Sequence, residues 1–118
     1  MKLLATVSFH NLSPSPSLEA EAHQEAARLE KVFDRIVSCR VTVEAPPQHH
    51  HKGTVYRVRV EVSVPGKHLV VSRAPADQAE HADAHLALRD AFRAARRQLE
   101  EHARQVRGEG KRHAGELG

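Results

Sequence analysis

Six arginines in the last third of the chain are spaced so that they fall on one side of a helix. At 100° per residue they lie within an arc of about 100°. We call them the arginine stripe: Arg89, Arg93, Arg96, Arg97, Arg104 and Arg107. Guanidinium groups stay charged at any working pH and bind phosphate through two parallel hydrogen bonds. The stripe therefore predicts a phosphate-binding surface. The alternative is a solvent-exposed helix face whose arginines pair with Glu100 and Glu101.

The opposite side of the same segment is apolar. Its residues lie within a similar arc of about 100°. They are Leu88, Ala91, Phe92, Ala95, Leu99 and Val106. The pattern predicts a helix that packs on a core with one face, begins after Asp83 as N-cap and ends near Val106.

Charge is unevenly distributed along the 118 residues, which suffice for one domain. Residues 89–112 hold eight of the 18 basic side chains but only four of the 15 acidic ones, within a formal net charge of +3. A basic surplus confined to one segment is typical of a nucleic-acid contact. Since Cys39 is the single cysteine and no signal peptide or membrane-spanning stretch is recognisable, we expect a cytoplasmic protein without disulfides and without membrane contact.

The few aromatic residues restrict the kind of nucleic-acid contact. Phe9, Phe33, Tyr56 and Phe92 all fall on inferred apolar faces, which leaves no exposed ring for stacking on bases. Contacts with phosphate, sugar and RNA shape remain.

Histidines are the competing chemical signal. His49, His50 and His51 are consecutive, and His81 and His85 have the i,i+4 spacing that can share a metal ion on a helix. Three adjacent loop residues do not naturally point at one ion, however, and no cysteine or carboxylate set joins them. We therefore expect no metal and no cofactor.

Nothing in the sequence favours catalysis. It contains no Ser-His-Asp pattern, carboxylate pair or glycine-rich phosphate loop, and Cys39 falls on an inferred apolar face, which predicts a buried thiol. We expect a protein that is not an enzyme and has no small-molecule substrate.

The elements that position these residues follow from periodicity. The chain predicts strands over 3–9, 37–45, 56–64 and 68–73, with a helix from Pro16, capped by Ser15, to about Asp34. Pro65-Gly66 predicts a hairpin turn. Residues 48–53 and 74–82 are expected to be a polar loop and an irregular connection.

The order β-α-β-β-β-α predicts an α+β fold. Alternating strands give the sheet one dry and one wet face, and both amphipathic helices must cover the dry face. In the second strand, the apolar face comprises Val37, Cys39, Val41, Val43 and Ala45. We expect a two-layer sandwich: a four-stranded mixed sheet with two helices on one face, and the first two strands parallel if they are adjacent. Residues 1–107 would form the domain and 108–118 a mobile tail.

Three local motifs carry a family resemblance. They are Leu29-Glu30-Lys31-Val32-Phe33-Asp34-Arg35-Ile36 at the end of the first helix, Leu88-Arg89-Asp90-Ala91-Phe92 with Arg96-Arg97-Gln98-Leu99 on the last helix, and the Val64-Pro65-Gly66 hairpin. By these motifs, in the order in which they occur along the chain and over about residues 1–106, the chain resembles the ribosome hibernation-promoting factors. That family is also called ribosome-associated inhibitor A or the sigma-54 modulation proteins.

The resemblance implies a function. It implies binding to the small ribosomal subunit in the mRNA and tRNA channel, contact with ribosomal RNA, and inhibition of translation in starved cells. The alternative is a protein-interaction module that regulates a transcription or stress factor. We expect the chain to act by occupancy and to be a monomer off the ribosome.

The candidate RNA-binding residues fall into three ranks. The first comprises Arg89, Arg93, Arg96, Arg97 and Arg104; the second, Lys31 and Arg35; the third, Arg40, Arg57 and Arg59. The third rank lies on the wet sheet face, where pairing with Glu44 or Glu61 explains these arginines nearly as well. Arg28, on the more acidic first helix, is expected to matter much less.

Overall fold

The computed structural model describes residues 5–45, 56–73 and 84–117. Its elements are β1 (Ala5–His10), α1 (Pro16–Val32), β2 (Ser38–Glu44), β3 (Arg57–Val64), β4 (Lys67–Arg73) and α2 (Ala84–Leu117). The strands form one sheet in the order β1-β2-β3-β4, with β1 and β2 parallel and the other two pairs antiparallel. The predicted α+β sandwich with a mixed sheet is confirmed.

Local signals set the bounds of α1 and of the hairpin. Ser15 Oγ accepts a hydrogen bond from the Leu18 N–H at 3.3 Å, as the N-cap assignment predicts. The helix ends at Val32, two residues before the predicted end at Asp34. Gly66 has a φ of 80°, which a type II turn requires at that position.

The core lies between the dry face of the sheet and the two helices. Alternate valines of β2 and β3 are fully buried there, and α1 and α2 add alanines and larger apolar side chains. Phe92, Leu29, Leu88 and Leu99 are the largest of the fully buried side chains. Each such side chain stabilises the fold by about 1.5–3 kcal/mol. Cys39 belongs to this core, as predicted.

The prediction for Val37 is wrong. The alternation of the second strand placed it on the buried face, but its side chain is 68% exposed. The ladder with β3 begins only at the pair Ser38–Ser63. Val37 precedes that pair and is held by its N–H, which donates to the Ser63 carbonyl at 2.7 Å. The alternation of the strand therefore does not extend to this side chain.

Helix α2 is longer than the sequence predicted. It continues past Val106 to Leu117. Gly108 and Gly110 cost about 1 kcal/mol each in a helix but remove no hydrogen bond, and good helix formers surround them. The division into a domain of residues 1–107 and a mobile tail of 108–118 stays a prediction. None of the described helices has the length and apolar composition needed to cross a membrane.

Several predictions fall on residues outside the described ranges. They concern the beginning of the first strand, the polar loop with His49, His50 and His51, the connection that contains His81, and the N-cap Asp83.

Candidate nucleic-acid interface

The arginine stripe lies on the solvent side of α2. All six side chains are exposed, whereas Leu88, Phe92 and Leu99 are at most 1% exposed against the sheet and α1. The helical wheel thus predicted the orientation of α2 correctly. The arginines do not form a flat band, because neighbouring elements divide them among three grooves.

The first of these is the interhelical groove, between α1 and α2, which encloses about 240 Å³. Leu29 and Phe92 lie between the helices at its base. Its cationic lining is Arg28, Arg89, Arg93 and Arg96, with Glu25 as the acidic member. Four guanidinium groups from two helices thus surround a space large enough for a phosphate group.

The second is the helix-end groove, where the C-terminal part of α1 meets α2. Lys31, Arg35 and Arg107 line it together with Phe33 and with two acidic residues, Glu30 and Asp34. The guanidinium carbon of Arg35 lies 5.7 Å from the centroid of the Phe33 ring, within cation–π distance. The structure thereby brings the second-rank residues Lys31 and Arg35 together with the end of the stripe.

The third is the strand–helix groove, between β4 and α2, which encloses about 760 Å³. Arg97 and Arg104 of the stripe face Lys67 of β4 across it. Glu101 lies on the α2 side of the groove and accepts a hydrogen bond from Arg104.

Ion pairs neutralise half of the stripe. Arg89 binds Glu21 with 2.5 Å between Nε and Oε2, Arg96 binds Glu100 at 3.2 Å, and Arg104 binds Glu101. The alternative interpretation of the stripe as a paired helix surface thus applies to Arg96 and Arg104. The two exposed pairs, those of Arg96 and Arg104, contribute about 0–1 kcal/mol, so phosphate can displace them at little cost.

Three arginines of the stripe have no such partner. Within the described part of the chain, Arg93, Arg97 and Arg107 make no ion pair. Their charge is available to an incoming anion without the loss of an existing contact.

Glu21 joins the two helices at the end of the stripe nearest the start of α2. It is 14% exposed and accepts hydrogen bonds from His85 Nδ1 and Arg89 Nε, and Ser17 Oγ lies 3.3 Å from His85 Nε2. Burial opposes ionisation of Glu21, but the hydrogen bonds and charges of His85 and Arg89 outweigh it, and the pKa of the carboxyl falls below its usual value.

Glu21→Gln is expected to destabilise the protein by roughly 1–2 kcal/mol at neutral pH, because it removes charge-assisted bonds between α1 and α2. A carboxyl whose pKa is lowered by folding stabilises the protein above its unfolded pKa, and this contribution is lost as pH falls through the folded value. The difference between wild type and variant should therefore shrink below about pH 4.5. Urea denaturation across pH tests this. Glu25→Gln, which loses only a pair within α1, should show a smaller difference.

The third-rank arginines lie on the opposite face of the molecule. Arg40, Arg57 and Arg59 extend from the wet side of the sheet, away from both helices. Arg59 binds Glu61 at 3.0 Å, Arg40 lies opposite Glu61 in the ladder, and Arg57 lies opposite Glu44. These acidic neighbours favour the charge-pairing interpretation for this face.

Arg28, which the sequence ranks below the stripe, lies close to the stripe in the fold. It lies in the interhelical groove beside Arg93 and Arg96, paired at 2.8 Å with Glu25. No pattern within α1 could reveal this, because the position of Arg28 depends on how α1 and α2 pack.

The described residues do not support a metal site or a nucleophilic cysteine. No group of three potential metal ligands occurs among them, and His85 is engaged by Glu21. Burial raises the pKa of the Cys39 thiol to about 12, so the thiol stays protonated at neutral pH.

Comparison with known proteins identifies a family for this sequence and similar solved structures for this fold. The pattern of the Sigma 54 modulation protein / S30EA ribosomal protein family matches residues 5–107. Comparison with curated proteins finds no match. A ribosomal subunit interface protein from Coxiella burnetii is similar with a TM-score of 0.67 and 13% identity, over 84% of this chain and 96% of that one.

A second solved structure is similar over almost its whole length. It is the N-terminal domain of Protein Y from Thermus thermophilus, with a TM-score of 0.60 and 19% identity. The match covers 86% of this chain and 99% of that domain. At this level of identity, the likeness supports the fold.

Proposed function

This chain belongs to the Sigma 54 modulation protein / S30EA ribosomal protein family, and from that premise we propose that it is a ribosome-associated hibernation factor. It binds the small ribosomal subunit through ribosomal RNA, in the channel of mRNA and tRNA, and inhibits translation by occupying that site. It acts in the cytoplasm under stress, as a monomer when off the ribosome, and catalyses no reaction.

The observation that carries this proposal is the convergence of cations on the helix layer. Seven of the candidate residues lie there, and Arg28 joins them in the interhelical groove. A groove lined by guanidinium groups from two helices suits a phosphodiester backbone. The backbone runs between the helices, and its phosphates contact the arginines of both. We therefore assign the helix layer as the RNA face and rank the wet sheet face below it.

The phosphate-contact mechanism predicts a steep salt dependence. Each phosphate neutralised on RNA contributes a slope of roughly −0.7 to −0.9 to the plot of log affinity against log salt. Co-sedimentation of the protein with purified small subunits between about 50 and 200 mM salt measures it. An affinity that does not change over this range is incompatible with binding through phosphate.

The same assay distinguishes the alternative function. A module that regulates a transcription or stress factor would stay in the supernatant when purified small subunits are sedimented. Saturable co-sedimentation with small subunits, lost on addition of a competing ribosomal RNA fragment, supports the hibernation factor.

A further inference from the structure

Strand β4 is an edge of the sheet. Val64 and Lys67 flank a two-residue turn and form a hydrogen-bonded pair, and such pairs recur at every second position of an antiparallel ladder. The backbone N–H and C=O groups of His68, Val70 and Ser72 therefore point away from β3. Within the described residues no strand pairs with this side, and an unpaired edge is a template for an extended chain.

Helix α2 forms a charged wall beside this edge. The strand–helix groove is lined by the β4 residues 67–70 on one side and by α2 residues from Arg97 to Arg104 on the other. Lys67, Arg97 and Arg104 outnumber the one carboxylate, Glu101, which Arg104 already binds. The groove thus combines backbone groups that no described strand pairs with and a net positive wall.

We propose that the strand–helix groove binds an extended acidic segment of a partner protein, which adds to β4 as a fifth strand. Side chains alternate along a strand, so every second residue of the segment faces α2 and meets Lys67, Arg97 and Arg104. The remaining residues lie on the wet face beside Val70, which is 39% exposed. The partner segment accordingly alternates acidic with β-branched apolar residues.

RNA fits this groove less well than a peptide. The edge of β4 presents carbonyl oxygens as well as N–H groups. Phosphate oxygens only accept hydrogen bonds, so in an RNA backbone only the 2′-OH groups could donate to those carbonyls. An extended peptide satisfies both kinds of group. The peptide site shares Arg97 and Arg104 with the RNA face, but Lys67 and the β4 backbone belong to the peptide site alone.

The test uses a fluorescein-labelled peptide of alternating Val and Glu with blocked termini, and its counterpart of alternating Val and Lys. Fluorescence anisotropy with the full chain should show saturable binding of the Glu peptide and at least about tenfold weaker binding of the Lys peptide. Hydrogen exchange of the Val70 amide should slow when the Glu peptide binds, because that N–H becomes hydrogen-bonded. Equal binding of the two peptides, or unchanged exchange at Val70, would overturn the proposal.

Two variants separate this site from the RNA face. Val70→Pro removes an outward N–H that the ladder with β3 does not use, and edge strands tolerate proline at such positions. Lys67→Glu reverses a charge of the groove. Each should weaken the Glu peptide about tenfold or more. Val70→Pro should keep small-subunit binding, and Val70→Thr, which retains the N–H, should bind the peptide like wild type.

The contrary results are equally definite. Full-affinity binding by both Val70→Pro and Lys67→Glu would show that the peptide binds elsewhere. An oligouridylate serves as the RNA competitor. If it displaces the peptide, and if Lys67→Glu also weakens binding of the oligouridylate itself, the groove is assigned to RNA. If the wild-type protein does not bind small subunits, the hibernation function is contradicted and the peptide result is unaffected.

Discussion

The double substitution Arg93→Glu with Arg97→Glu is expected to weaken binding to the small ribosomal subunit about 100-fold or more, since each charge-assisted contact contributes about 1.5–3 kcal/mol. Both side chains are exposed and, within the described part of the chain, make no ion pair. Reversal of their charge replaces attraction to phosphate with repulsion and breaks no ion pair among the described residues. The melting temperature should stay close to that of wild type, because surface changes usually remain within about ±0.5 kcal/mol.

The matched control carries the same change of charge on the opposite face. Arg57→Glu with Arg59→Glu alters the wet side of the sheet, where Glu44 and Glu61 are neighbours. Its affinity should remain within about fivefold of wild type, which corresponds to 1 kcal/mol. It should also lower the melting temperature more than the helix variant does, because it places like charges opposite one another.

Co-sedimentation with small subunits and thermal melts of both double variants decide between three outcomes. Equal losses of affinity would mean that the overall charge governs binding. Wild-type affinity of the Arg93 and Arg97 variant would exclude the helix layer as the RNA face. A loss confined to that variant supports the assignment.

Phe92→Ala should cost about 3–5 kcal/mol of the free energy of unfolding. Phe92 is 1% exposed and is among the largest fully buried side chains. It also lies at the base of the interhelical groove, between α1 and α2, and belongs to the core cluster that the helices share with the sheet. Its removal leaves a cavity that the packed helices fill only in part, so the melting temperature should fall by more than about 10 °C.

Val37→Ala is the control for this prediction. Its side chain is 68% exposed, and the expected change is within about 0.5 kcal/mol. Urea denaturation of the two variants measures both values. A cost below about 1 kcal/mol for Phe92→Ala would mean that this side chain is not part of a closely packed core.

The sequence by itself determined the features that one element can specify. The alternating valines of β2 and β3, the Ser15 cap of α1 and the opposed arginine and apolar sides of α2 all follow from the period of a strand or a helix. The turn at Pro65-Gly66 depends on the backbone freedom of one glycine. The order of these elements was then enough to give the two-layer architecture, because each apolar face had to be covered.

Only the tertiary structure decided how those elements meet. The ion pair of Glu21 with Arg89 joins residues 68 positions apart, and the place of Arg28 beside Arg93 depends on the packing of α1 on α2. The exposure of Val37 depends on where the ladder begins. Such contacts are fixed by the side chains of two elements together and by their relative position. The periodicity of either element alone carries no information about them, which is why a single stripe of arginines in the sequence is divided among three grooves in the fold.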